Sequence, residues 1–233
     1  MKPESAPSQG RPDHRPDDRP DDRKYLDIVS HYEACLDRHG DSHLGVDWPK
    51  ADDATRRYQV MLELIRRPSP ATPVSLLDFG CGAGHLLQHM QATGLENVAY
   101  SGLDLSPKFI ELARRKFPSN VFYRLDLLED REAGDNPLPL FDYVVMNGVF
   151  TERRSLSFEE MLTYFKRLLK QVWSKTARGV AFNVMSKQVD WEREDLFHLP
   201  LDTLATFLTQ DLTRDFIIRN DYHLYEYTTY VYR

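Results

Sequence analysis

A chain of 233 residues with 41% hydrophobic and 12% aromatic side chains is long enough to bury a sizeable core as one domain with additions. Its 36 acidic and 30 basic residues give a net charge of −6, which argues against a non-specific binder of nucleic acid or anionic membrane, because counterion release needs clustered Lys and Arg. Two cysteines, Cys35 and Cys81, form no disulfide framework or zinc spacing, and neither a bilayer-length apolar run nor a secretory leader is evident, so a cytoplasmic protein with free thiols and no metal is expected.

Residues 1–24 hold five of the 14 prolines and the run RPDH, RPDD, RPDD from Arg11 to Asp22, with six basic and six acidic side chains. Such a segment cannot pay the entropy of ordering and is predicted to be a disordered tail. From Tyr25 the spacing turns helical: Leu26, Val29 and Leu36 share a face up to Gly40. A polar loop holding His43, Asp47 and Trp48 follows, and a second helix is predicted from Asp52 to Arg66. These residues, 25–67, read as a helical lid, and 74–233 as the core of the same single domain.

The core alternates strand and helix. Val74–Phe79 is a short apolar run that meets Gly80-Cys81-Gly82-Ala83-Gly84 and then a helix, His85 to Thr93. Val98–Leu105 is a second strand, with Ser106-Pro107 as N-cap and N1 of a helix to Lys116. Asn120–Leu125 and Phe141–Met146 are the third and fourth strands. Ser157-Phe-Glu-Glu160 has capping-box spacing before a helix to Trp173. Gly179–Met185, a helix at Asp202–Gln210 and paired strands at Phe216–Arg219 and Leu224–Tyr232, turning at Asn220-Asp221, complete the pattern. Alternating units predict an α/β fold with a mostly parallel, doubly wound sheet closed by an antiparallel hairpin.

The glycine turn carries the chemistry. Glycines between a strand and a helix let a ligand approach the backbone, where the helix start offers N–H groups. A dinucleotide fingerprint would need glycine at 85, which is His85; the spacing is GxGxG. Asp78, two residues before the first glycine, can pair with a cation over the turn. Asp104, twenty residues beyond Gly84, can accept both hydroxyls of a ribose. Asp126 closes the third strand, in reach of an exocyclic amine. Three acids and three glycines describe a neutral-to-cationic nucleoside.

With these motifs in this order, Val74 to Arg233 resembles the class I S-adenosylmethionine-dependent methyltransferases. The resemblance implies a Rossmann-like seven-stranded sheet and S-adenosyl-L-methionine as cofactor. It implies Gly80, Gly82 and Gly84 under the methionyl part, Asp78 serving the ammonium, Asp104 on the ribose with Leu105 against the adenine, Asp126 and Leu127 at the adenine edge, and Asn147 lining the methionine. A [DN]PP[YF] motif is absent after the fourth strand, where Met146-Asn147-Gly148-Val149-Phe150 stands, and no cysteine follows the fourth or fifth strand to attack a base.

The resulting expectation is methyl transfer to an oxygen or nitrogen of a small molecule, a sugar or secondary metabolite by analogy. A protein or peptide acceptor and a noncatalytic cofactor-binding partner subunit stand as alternatives. Trp48 and Arg57 are expected to cover the cofactor, Arg57 by forking onto its carboxylate, against a packing tryptophan and a surface arginine. Glu152 is a candidate base and His198 a candidate substrate contact, against loop charges that only structure the chain. Tyr222, Tyr225, Tyr227, Tyr230 and Tyr232 read as strand aromatics, with a base-stacking platform as the lesser alternative.

Overall fold

The computed structural model describes residues 23–66, 73–129 and 138–233. The tail expected over 1–24 lies outside the described residues as far as Asp22. Its last two residues are held by the fold, Lys24 by Glu160 at 2.6 Å and Arg23 by Asp126 at 3.5 Å.

In chain order the first elements are α1 (Leu26–His39), a 3₁₀ turn (Leu44–Val46), α2 (Ala51–Leu62), β1 (Val74–Phe79), α3 (His85–Ala92), β2 (Val98–Asp104), α4 (Pro107–Lys116) and β3 (Val121–Arg124). Then come β4 (Phe141–Met146), α5 (Phe158–Ser174), β5 (Thr176–Ser186), β6 (His198–Leu199), α6 (Leu201–Asp211), β7 (Phe216–Arg219) and β8 (Glu226–Tyr232). The sheet runs β3-β2-β1-β4-β5-β8-β7, with β6 pairing off this path onto the end of β5. Strands β1 to β5 are mutually parallel, and β8 enters antiparallel between β5 and β7. This is the doubly wound sheet with a closing hairpin that the alternating pattern predicts.

Local signals set most boundaries. Ser106 caps α4 by accepting from the Phe109 N–H at 3.2 Å, with Pro107 at N1. Ser157 and Glu160 close a full capping box on α5, Glu160 N–H to Ser157 Oγ at 3.2 Å and Ser157 N–H to Glu160 Oε2 at 2.8 Å. Helix α2 stops at Leu62 instead of Arg66, because Leu64 and Ile65 donate to carbonyls only three residues back and the last turn tightens. The β7–β8 connection spans residues 220–225, not the two-residue Asn220-Asp221 turn, since Tyr222 tucks in to bond Thr228 Oγ1 at 2.9 Å.

Each face of the sheet carries its own apolar layer. One is dominated by phenylalanine: Phe165 of α5 meets Phe150 at 4.8 Å and Phe182 at 5.4 Å between ring centroids, both edge-on, and Phe207 of α6 at 5.7 Å. Such pairs add about 0.5–1.5 kcal/mol each beyond the area they bury. The other layer packs Leu86 and Met90 of α3 and Ile110 of α4 with Val60 and Met61 of α2. Of the terminal tyrosines, Tyr222, Tyr227, Tyr230 and Tyr232 belong to these layers, while Tyr225 is exposed. Tyr227, Tyr230 and Tyr232 are buried and donate to the carbonyls of Leu199, Val60 and Leu64 at 3.0, 2.6 and 3.3 Å. A base-stacking platform is thereby excluded for them; the hydroxyls of Tyr230 and Tyr232 tie α2 and the turn after it to the sheet, and that of Tyr227 anchors β6.

The lid residues lie over the carboxyl edge of the sheet. Ser106 Oγ donates to Glu33 of α1 at 2.5 Å, Lys108 pairs with Asp37 at 2.6 Å, and Asp41 bridges His85 and Lys116, each at 2.8 Å. These exposed pairs contribute little energy individually, but they fix where the lid sits.

Candidate active site

From β1 the chain steps through α3 to β2 and on to β3, then crosses back to place β4 on the other side of β1. Crevices form at such switch points, beyond the carboxyl ends of the strands. Here the crevice is a cavity of about 950 Å³ counted to its open mouth, with Asp78, Gly80, Gly82, Asp104, Leu105 and Asn147 in its wall.

The turn from β1 to α3 works only with glycine. Gly80, Gly82 and Gly84 have φ of 76°, 51° and 77°. A Cβ on Gly80 would stand 2.6 Å from Val149 Cγ2, so backbone conformation and space both forbid a side chain there. Two carboxylates face the turn. Asp104 Oδ2 accepts from the Gly82 N–H and Oδ1 from the Ser106 N–H, each at 2.9 Å, which pins the glycine loop to the end of β2 and leaves further lone pairs for a ligand. Burial raises its pKa against those hydrogen bonds. Asp78 is buried at the end of β1, where, among the described residues, only Tyr100 Oη donates to it, at 2.8 Å. Burial pushes its pKa up to about 7, with nearby Asp104 adding to the rise, the state of a carboxyl group short of a cationic partner. Asn147 Oδ1 is buried without a hydrogen-bond partner among the described residues. A buried carboxyl group seeking a cation, an amide oxygen seeking a donor and a glycine-lined floor fit the methionyl end of S-adenosylmethionine.

The other end is aromatic. Tyr25 and Tyr164 stack with centroids 5.0 Å apart and planes at 16°, and both line the cavity beside Leu103, Leu105 and Phe109. The sequence reading missed this pair. Tyr25 looked like a helix start and Tyr164 stands off the apolar stripe of its helix, so only the distance between them in the fold exposes their role.

A second cavity, of about 1060 Å³, adjoins the first. The two share Tyr32 and Trp48. Trp48 is held from several sides. Its ring carbon Cζ2 would touch a Cβ on Gly148 at 2.9 Å, and the Arg57 guanidinium lies 3.9 Å over its ring. Arg57 in turn forks onto Glu226, Nε and Nη2 reaching the carboxylate at 2.9–3.0 Å. Asn183 joins the network, donating to Glu226 Oε1 at 3.0 Å and accepting from the Gly148 N–H at 2.7 Å. Strands β5 and β8 and helix α2 thus converge on the wall between the cavities.

This geometry revises several expected positions. The fork of Arg57, expected on the cofactor carboxylate, is filled by Glu226, and Arg57 lines the second cavity rather than the first. Asp126 and Leu127 are not in the first cavity's wall. Instead Tyr25 Oη, which belongs to a residue of that wall, donates to Asp126 at 2.7 Å. Gly84 also stands outside the wall and serves as the N-cap of α3. Glu152 is buried in the second cavity's lining and paired with Arg154 at 3.3 Å, burial raising its pKa against that partner. His198 lines the same cavity, but both ring nitrogens are engaged: Nδ1 donates to the Ser186 carbonyl at 2.6 Å and Nε2 accepts from the Arg193 N–H at 3.2 Å. A ring so held has no lone pair free to take a proton.

Beside this cavity, His31, Cys35 and Asp47 bring donor atoms within 4.8 Å of one another, His31 Nε2 and Asp47 Oδ2 being 2.8 Å apart. Asp47, at a left-handed φ of 57°, is oriented by this contact.

Sheet order, glycine turn and paired strand-end acids together define a Rossmann-like methyltransferase. Comparison with known proteins agrees. Residues 77–171 match the family model described as a methyltransferase domain. Over 171 residues, 72% of this chain and 98% of the other, it is 29% identical to Rv1506c of Mycobacterium tuberculosis, a protein itself provisionally named a methyltransferase. A trans-aconitate 2-methyltransferase of Methylobacterium nodulans is 33% identical over 106 residues, 44% of this chain and 39% of that one. Among solved structures, magnesium protoporphyrin IX methyltransferase of Synechocystis PCC 6803, with bound S-adenosylmethionine, superposes at a TM-score of 0.60 over 94% of this chain and all of that one, at 17% identity, a likeness of fold. The matched segment is a methyltransferase domain, and the chain is an S-adenosylmethionine-dependent enzyme that is similar in sequence and fold to the class I methyltransferases.

Proposed function

We propose that the first cavity holds the cofactor and that the second receives a small molecule whose oxygen or nitrogen accepts the methyl group. The observation that carries this reading is the shared wall: Tyr32 and Trp48 face both cavities, so an acceptor in one lies against a ligand in the other. When bound, S-adenosylmethionine supplies a methyl group on a sulfonium, which needs an aligned nucleophile more than it needs acid–base help. In this reading Asp78 takes the ammonium, the backbone of Gly80 and Gly82 approaches the methionyl chain, Asp104 takes the ribose hydroxyls, Leu105 and the Tyr25–Tyr164 stack face the adenine, and Asn147 meets the amino-acid end. Gly84 keeps the helix start in place, and Asp126 and Leu127 act behind Tyr25. Glu152 is the group placed to remove a proton from an acceptor; His198 shapes the cavity.

Residues 25–233 form one working unit in this proposal, with α1, the 3₁₀ turn and α2 as its lid. A cytoplasmic setting suits the two free, buried thiols; among the described residues no helix is long and apolar enough to cross a membrane. The test is transfer of labelled methyl from S-adenosylmethionine into separated small-metabolite and protein fractions of a cell extract, with mass spectrometry of the product. Label in a small-metabolite fraction, lost in a variant with Trp48→Ala, is the expected result. Label found only in the protein fraction would overturn the small-molecule assignment.

A further inference from the structure

We infer that the second cavity selects its acceptor by positive charge, and that the acceptor is a protonated amine on a ring-shaped or apolar body. This rests on reading that cavity as the acceptor site. Four carboxylates line it, Asp47, Asp53, Glu152 and Asp190, against two guanidinium groups, Arg57 and Arg193. Both cations are already answered from outside the lining, Arg57 by Glu226 and Arg193 by Asp195 at 2.5 and 3.0 Å. Asp47 lies 2.8 Å from His31 Nε2 and Glu152 pairs with Arg154, while Asp53 and Asp190 make no ion pair among the described residues. His198 Nε2 accepts from the Arg193 N–H and so offers no donor to an anion.

A carboxylate or phosphate entering here would meet four carboxylates and two guanidinium groups already paired with Glu226 and Asp195, with only the buried Nη1 of Arg57 lacking a hydrogen-bond partner among the described residues; an ammonium would meet carboxylates in excess. The aromatic walls agree independently. Tyr32, Trp48, Trp191 and Tyr225 all line the cavity, and Trp191 and Tyr225 stand 71% and 63% exposed at its edge, large π faces left in water. Carboxylates interleaved with aromatic faces are the chemistry of cation recognition. The reaction balances on groups already present. The ammonium gives one proton to the Glu152 carboxylate, the freed nitrogen lone pair forms the new N–C bond, and the electron pair of the broken C–S bond leaves with sulfur.

The test uses the full chain saturated with S-adenosylhomocysteine and three probes matched in shape: benzylamine, benzyl alcohol and benzoate. Binding is read from the indole N–H signals of Trp48 and Trp191 in NMR titrations. Benzylamine is expected to move both signals and to bind about tenfold tighter than benzyl alcohol, benzoate to bind most weakly, and the double variant Asp53→Asn/Asp190→Asn to bring benzylamine down to the level of the alcohol. Equal or tighter binding of benzoate or benzyl alcohol, or undiminished benzylamine affinity in the double variant, overturns amine selection and leaves the cavity as an acceptor site. If S-adenosylhomocysteine binds but none of the three probes moves either indole, both this inference and the acceptor assignment fall.

Discussion

The two cavities are built by opposite means. The first has its polar wall where adjacent parallel strands end, in Asp78, Gly80, Gly82, Asp104 and Ser106, and is closed by aromatic side chains of the lid such as Tyr25, Tyr32 and Trp48. The second is lined by residues of the lid, the turn after β4, the end of β5 and the segment that follows it, β6 and the β7–β8 connection. A cofactor that stays the same can be read by a rigid sheet edge, whereas acceptor choice sits on connections that change without disturbing the core. The two cavities meet at the wall of Trp48, Arg57 and Glu226, where a single substitution reaches both.

Glu226 is 1% exposed and carries the whole of Arg57's fork. Glu226→Gln keeps the shape but leaves a nearly buried guanidinium unpaired, and is expected to cost roughly 3–5 kcal/mol of stability, measured by urea denaturation. Arg57→Gln in the Glu226→Gln background should recover much of that loss, because no lone charge then remains. A double variant no more stable than the single would show that packing on Trp48, not charge, holds the two cavities apart.

The next largest effect tests the first cavity alone. Asp104→Ala removes a charged acceptor from the ribose and frees the Gly82 N–H, so S-adenosylhomocysteine affinity should fall by about 1.5–3 kcal/mol in calorimetry. If the comparison is right, amine binding in the second cavity changes little in the same variant. Asp78 supplies a pH test of about tenfold. Its folded pKa of about 7 exceeds the ordinary value of 3.8, so the ligand-free fold binds the extra proton and loses stability as pH rises from 3.8 through about 7. An ammonium needs the ionised form. Affinity for S-adenosylhomocysteine should therefore rise roughly tenfold between pH 6 and pH 8, by the fraction of Asp78 ionised, with a proton released on binding. Methylthioadenosine, which lacks the ammonium, should show no such rise, and neither should Asp78→Asn.

The contrast also explains what the sequence could show. Asp78, Gly80, Gly82 and Asp104 were legible because their spacing is dictated by strand, turn and helix geometry, all within one β-α-β unit. Strands β1 and β4 were legible to the residue because short apolar runs bounded by polar turns have one reading in a parallel sheet. Arg57 was misplaced because a helical arginine can reach many carboxylates, and its actual partner, Glu226, lies 169 positions away. Tyr32 and Trp48 were invisible as a shared wall for the same reason: their common neighbour, Gly148, is brought to them by tertiary packing. The two-residue β6 has no period to detect, and His198 within it is disarmed by backbone groups that no side-chain pattern announces.

Tyr25 gives the smallest effect and decides how far local legibility extends. By spacing alone Asp126 belongs at the adenine edge, yet Tyr25 Oη donates to it at 2.7 Å while the Leu128 N–H donates to its other oxygen at 2.9 Å. Tyr25→Phe removes one charge-assisted hydrogen bond but keeps the ring that stacks on Tyr164. Affinity for methylthioadenosine should fall by no more than about 1 kcal/mol, because the aromatic face remains and only its anchor is lost. A rise in affinity would mean that the phenol had been withholding Asp126 from the adenine amine. In that case the third strand-end acid joins the first cavity as its position in the sequence suggests, and Tyr25 becomes the lid residue that gives way to it.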